Sequence, residues 1–181
     1  MSLTKSKNSL LIKTCTSGLM LALAFVLPFI TAGNPQLGNM LLPMHLPVLI
    51  CGFACGPVFG AAVGFIAPLL RFAILHMPPT YLIAVPMAFE LAAYGLFSGL
   101  LYGRLKIKRP ANIYLSLVLS MLLGRGVWGI AKLAVLGFSV QKFPFSAFLA
   151  GALTSAVPGI VLQLVLVPLL VMTLERLKFI K

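Results

Sequence analysis

Asn112 to Gly137 read NIYLSLVLSMLLGRGVWGIAKLAVLG, an apolar run broken by only two charges, Arg125 and Lys132. A hydrocarbon layer about 30 Å thick is crossed by ~20 residues of helix, so this run is long enough to span a membrane. An arginine or lysine inside such a helix costs about 3 kcal/mol if left against lipid. Both side chains must therefore turn toward other helices. The stretch predicts a spanning helix and, around it, a bundle with a polar interior.

Working outward, comparable runs fall near 12–31, 41–55, 57–76, 80–103 and 146–174, giving six segments with 112–137. Across the chain 61% of residues are apolar and only 9% charged, a mix that one water-facing core of 181 residues cannot hide. The expectation is an all-α integral membrane protein, a six-helix transmembrane bundle in a single domain over residues 1–181. The second run is short and contains Pro43 and Pro47, so it reads either as a tilted span or as a re-entrant segment covered by protein. Pro57 suits the opening turn of the third helix.

The net charge of +12 does not point to nucleic acid, because the basic residues sit at the ends of apolar runs rather than in one stripe. With six passes, Lys5, Lys7, Lys13, the loop Arg104-Leu105-Lys106-Ile107-Lys108-Arg109, and Arg176, Lys178 and Lys181 all fall on one side. The opposite loops carry Lys142. Positive loops stay inside, which places both termini in the cytoplasm. Lys5 to Lys13 before an apolar run imitates a signal peptide, but Pro28 and Gly33-Asn34-Pro35 follow without a small-x-small cleavage site, so the run reads as a retained span.

Small residues recur every fourth position at Gly52, Gly56, Gly60 and Gly64, at Gly95, Gly99 and Gly103, at Gly151, Ser155 and Gly159, and at Gly18 and Ala22. Such rows let helix backbones approach closely, either within this chain or against a partner's helices. Gly18-x3-Ala22 on the first span is the row expected to face a partner. Cys15, Cys51 and Cys55 lie in apolar runs, and Cys51-x3-Cys55 lacks the further ligands of a zinc site, so packing is the expected role and no metal is expected.

Four ionisable residues sit inside spans: Arg71, Glu90, Arg125 and Lys132. At 1.5 Å per residue, Glu90 and Arg125 lie ~15 to 18 Å from the outer ends of their helices, and Arg71 and Lys132 at ~8 Å. Arg125, Trp128 and Lys132 share a helix face at i, i+3 and i+7, and Glu90 and Tyr94 pair at i and i+4. Arginine brings forked donors, tryptophan a flat apolar wall, and glutamate an acceptor for hydroxyl or ring N–H groups, which together suit a small polar ligand. The alternative is that Glu90 and Arg125 only neutralise each other and pin two helices. For Lys132, nearer a helix end, snorkelling outward is the second reading. His45 and His76 stand near the outer ends of the second and third spans, as ligand contacts or as interfacial structural histidines. The outer loop from Thr31 to Leu42, with Asn34, Gln36 and Asn39, reads as a lid or as ordinary turn chemistry.

The chain has no Gly-x4-Gly-Lys-Ser/Thr phosphate loop, no His-Glu-x2-His and no Gly-x-Ser-x-Gly. With two acidic residues, Glu90 and Glu175, it offers no carboxylate pair for acid–base work. An enzyme is not expected, and energy for uphill transport would have to come from another subunit or from ion coupling.

Four ordered blocks carry a family likeness: Leu42-Pro43-Met44-His45-Leu46-Pro47-Val48-Leu49-Ile50-Cys51-Gly52, Gly64-Phe65-Ile66-Ala67-Pro68-Leu69-Leu70-Arg71, Met87-Ala88-Phe89-Glu90-Leu91, and Leu123-Gly124-Arg125-Gly126-Val127-Trp128-Gly129. Together they resemble the substrate-binding S components of energy-coupling factor (ECF) vitamin transporters, nearest the branch of vitamin B6, hydroxymethylpyrimidine and pantothenate carriers. The resemblance implies a multi-pass protein of the prokaryotic cell membrane that binds a small water-soluble vitamin in its outward half, under outer loops that gate it. It implies a transmembrane coupling subunit docked on Gly18 and Ala22, where the family carries Ala-x3-Ala, and two ATPase subunits that use the ATP, with no cofactor in this chain. The expected substrate contacts are Asn39, His45, Arg71, Glu90, Tyr94, Arg125, Trp128 and Lys132. A B6-type ring alcohol is the first expectation. Pantothenate follows closely, because the buried quartet sums to +2 and its carboxylate could meet Arg71 or Lys132. Two alternatives from other classes are a membrane assembly subunit and, further off, a small membrane enzyme.

Overall fold

A computed structural model describes residues 2–31, 41–105, 110–137 and 157–177. Within them lie six helices and no strand: α1 (Ser2–Val26), followed by a 3-10 turn (Leu27–Thr31), α2 (His45–Cys55), α3 (Pro57–Leu75), α4 (Tyr81–Arg104), α5 (Pro110–Val135) and α6 (Val157–Arg176). Five of the segments are long and apolar enough to cross a membrane: Leu10–Ile30, α3, α4, α5 and α6. The chain is a multi-pass membrane protein built as an all-α bundle. The outer loop with Asn34, Gln36 and Asn39, the basic loop at 106–109, and residues 138–156, with Lys142, Gly151 and Ser155, lie outside the described residues.

The second run, which the sequence left open between a span and a re-entrant piece, is an 11-residue helix. At 1.5 Å per residue this is about half the hydrocarbon thickness. A helix of that length cannot reach from one interface to the other, so at least one end falls at membrane depth, where unpaired backbone groups are costly unless protein covers them. Cover is what it receives: α2 packs against α1, α3, α4 and α6, and His45, Pro47, Val48, Leu49, Ile50, Cys51, Gly52, Phe53 and Cys55 are all buried. Gly56 then reverses the chain directly into α3 at φ +98°, a left-handed conformation that favours glycine, and Pro57 opens α3 as expected.

The glycine rows at 52–64 and 95–99 serve packing within the chain. A Cβ on Gly60 would stand 2.5 Å from the Gly95 carbonyl oxygen, and one on Gly99 would stand 2.6 Å from that of Gly52. Helices α2, α3 and α4 therefore meet backbone to backbone, the arrangement small residues permit. Beside the crossing, Leu49, Phe53, Tyr102, Ile113, Leu117, Val167 and Val171 fill a core shared by α2, α4, α5 and α6. Tyr102 donates its hydroxyl to the carboxylate of Glu175, closing the lower ends of α4 and α6. Helix α1 is the least covered of the spanning segments and exposes Leu10, Leu11, Ile12, Leu19, Leu23 and Val26.

Candidate functional site

Helix α4 carries Glu90 and Tyr94 one turn apart on the face turned into the bundle, and both are buried. The Tyr94 hydroxyl donates to Glu90 Oε1 at 3.0 Å, and Arg125 of α5 reaches the same oxygen at 2.8 Å through a guanidinium nitrogen. His45, in the first turn of α2, sets its Nε2 at 3.8 Å from Glu90 Oε1 and its ring 5.2 Å from that of Tyr94. Three helices thus converge on one carboxylate. In the low dielectric of the bundle this ion pair is held by hydrogen bonds from two sides, which is what makes a buried charge tolerable.

The approach of α5 depends on Gly124. A Cβ there would run into the Tyr94 ring, whereas one on Gly126 would meet nothing within 4 Å. Gly124→Ala is expected to displace Tyr94 from Glu90 and to lower stability by about 1–3 kcal/mol, as overpacking does. Gly126→Ala is the matched control and should lose nothing; thermal unfolding in one detergent compares the two.

The other expected contacts fall into separate groups. Arg71 is buried, but it donates to the Phe25 carbonyl at 2.5 Å and lies over the Phe25 and Phe29 rings, at 5.7 and 5.1 Å from their centroids. It therefore ties α3 to the end of α1, where the helix gives way to the 3-10 turn. Lys132 donates from Nζ to the Leu82 carbonyl at 3.0 Å. That carbonyl lies four residues before Pro86, inside α4, and a proline has no N–H to offer it. Lys132 replaces the missing donor. Trp128 is half-buried on α5, and His76 is exposed, capping α3 in the left-handed region. Asn39 lies outside the described residues.

Of the expected contacts, the structure brings His45, Glu90, Tyr94 and Arg125 together. It gives the two other cations, Arg71 and Lys132, backbone carbonyls as partners. Gly18 and Ala22 are exposed on α1, and a Cβ on Gly18 would have open space around it. The neighbouring Ser17 turns inward instead and accepts a hydrogen bond from the Cys51 thiol at 3.6 Å. This gives Cys51 a packing role in the core.

The sequence reading passed over Gln163, a wholly buried amide in the middle of α6. The available signal was a single polar residue amid apolar neighbours, which is costly in a membrane helix and marks a site when retained.

No curated protein and no solved structure gives a significant match to this chain. A family model for the substrate-specific component of ECF transporters matches residues 13–171, a span that takes in the polar cluster and most of every described helix. By that match the chain belongs to the ECF transporter substrate-specific components, the membrane subunits that bind substrate for an ECF module.

Proposed function

We propose that this chain captures a small water-soluble vitamin or vitamin precursor, first of all a B6-type pyridine or pyrimidine alcohol. The observation that carries the reading is the cluster of Glu90, Arg125, Tyr94 and His45 brought together from three helices inside the bundle. A carboxylate accepts from hydroxyl and ring N–H groups, a guanidinium donates to ring nitrogens and oxygens, and the rings of His45, Tyr94 and Trp128 suit a flat heterocycle. Pantothenate is the second reading, favoured by the +2 sum of the buried quartet. Against it, the two spare cations, Arg71 and Lys132, already hold the Phe25 and Leu82 carbonyls, which favours an uncharged ligand.

The exposed Gly18 and Ala22 on the least covered helix support docking to a transmembrane coupling subunit, with two ATPase subunits supplying the energy. In this reading the chain is one transmembrane domain with both ends in the cytoplasm, Asn39 belongs to the loop over the pocket, and Arg71 and Lys132 border the ligand while shaping the backbone around it.

The test is thermal unfolding of the detergent-solubilised protein against pyridoxine, pyridoxamine, hydroxymethylpyrimidine and pantothenate. A ligand at a hundred times its Kd should stabilise the folded state by about 2.7 kcal/mol. A shift with pyridoxine supports the ring-alcohol reading, and a shift with pantothenate alone replaces it by the second reading. A folded, ligand-free protein that responds to none of the four overturns both.

A further inference from the structure

Gln163 is wholly buried in α6, and among the described residues neither its amide oxygen nor its nitrogen has a hydrogen-bond partner. The same holds for both ring nitrogens of His45 on α2. Ser116 has an unpartnered hydroxyl as well, but among the described residues only Gln163 and His45 leave two polar atoms each unsatisfied. Buried polar groups are nearly always satisfied, so these two call for an explanation.

They stand above one shared core, within about one helical turn of each other. Near the end of α4, Tyr102 touches the Phe53 ring at a 5.2 Å centroid distance and bonds Glu175, so α2 and α6 end side by side and run in the same direction. Phe53, Leu49, Val171 and Val167 share the core between these two packed helices. One helical step of four residues above Leu49 is His45, and one such step above Val167 is Gln163, each on the same face as the residues below it. His45 in turn is 3.8 Å from Glu90, and Tyr94 lies in the same core as Leu49 and Val167, so Gln163 falls within about one helical turn of the layer of His45, Glu90, Tyr94 and Arg125.

The chemistry of the layer is divided. Glu90 and Arg125 are matched to each other. An uncharged imidazole offers one N–H and one lone pair, and a carboxamide offers both kinds as well. We infer that Gln163 and His45 read the polar edge of the ligand, an uncharged ring or amide edge that carries a donor next to an acceptor. This rests on the ligand-binding reading above and adds its specificity-determining contacts on α2 and α6. A site built to bond such an edge rejects analogues that lack it, because its own buried groups would be left unpaired.

The test compares wild type, Gln163→Leu and His45→Phe by thermal unfolding without ligand and in titrations with pyridoxine and with pantothenate. Gln163→Leu should be at least as stable as wild type without ligand, since an apolar side chain of similar length replaces an unpartnered amide. Its Kd for whichever compound stabilises wild type should rise tenfold or more, and His45→Phe, which keeps the ring but loses both nitrogens, should show the same loss. Kd values within twofold of wild type in both variants overturn the inference and leave the ligand-binding reading standing. So does a large loss of ligand-free stability in Gln163→Leu, which makes the amide a structural group. A wild type stabilised by neither compound, nor by pyridoxamine or hydroxymethylpyrimidine, removes the vitamin reading and this inference together.

Discussion

Arg125→Leu should lower the stability of the ligand-free protein by about 3–5 kcal/mol, the cost of leaving one member of a buried ion pair without its partner. The partner is Glu90, 3% exposed and bonded by Arg125 at 2.8 Å. Removing the cation leaves a carboxylate supported, among the described residues, by the Tyr94 hydroxyl alone and facing His45. Adding Glu90→Gln to Arg125→Leu should recover most of the loss, because the uncharged amide still accepts from Tyr94 and no charge is left unpaired. Arg125→Gln keeps a donor in reach of Glu90 and should cost less. Glu90→Gln and Arg125→Gln should each leave a folded bundle that binds its ligand more weakly. Thermal unfolding of the single and double variants completes a double-mutant cycle, and a coupling near zero would show that the pair does not hold the bundle together.

The second large effect lies where α3 and α4 cross. In Gly95→Ala the added methyl meets the backbone of Gly60, including its Cα at 2.8 Å. A backbone cannot swing aside as a side chain does, so the two helices must separate and the contacts around them loosen with them. The expected loss is at the upper end of overpacking, about 3 kcal/mol. Gly103→Ala belongs to the same four-residue row, but its Cβ has nothing within 4 Å. There alanine should be neutral or stabilising, by up to about 1 kcal/mol from helix propensity. The difference in melting temperature between these two variants reads the crossing directly, and equal melting temperatures would argue against it.

The glycine pair shows how far reading along the chain can go. Spacing marked Gly95, Gly99 and Gly103 as one row, since residues four apart share a helix face. Nothing in that row says that Gly95 meets α3, that Gly99 meets α2, or that Gly103 meets nothing. The ionisable residues follow the same pattern. That Arg71, Glu90, Arg125 and Lys132 must avoid lipid follows from the free energy of a charge in hydrocarbon. That Arg71 turns to the Phe25 carbonyl and Lys132 to that of Leu82, leaving Arg125 to Glu90, does not.

By itself the sequence determined the class of the protein: apolar runs of spanning length, inward-facing charges, and the face relations within each helix, such as Glu90 with Tyr94. These depend on transfer free energies and on the 3.6-residue period, which act locally. Only the tertiary structure decided that α2 is a half-length helix in the centre of the bundle, that His45 joins Glu90, and that Gln163 is wholly buried on α6. These depend on how far each helix is shifted and rotated against its neighbours. That is set by many small side-chain contacts acting together, and no period along one helix records it.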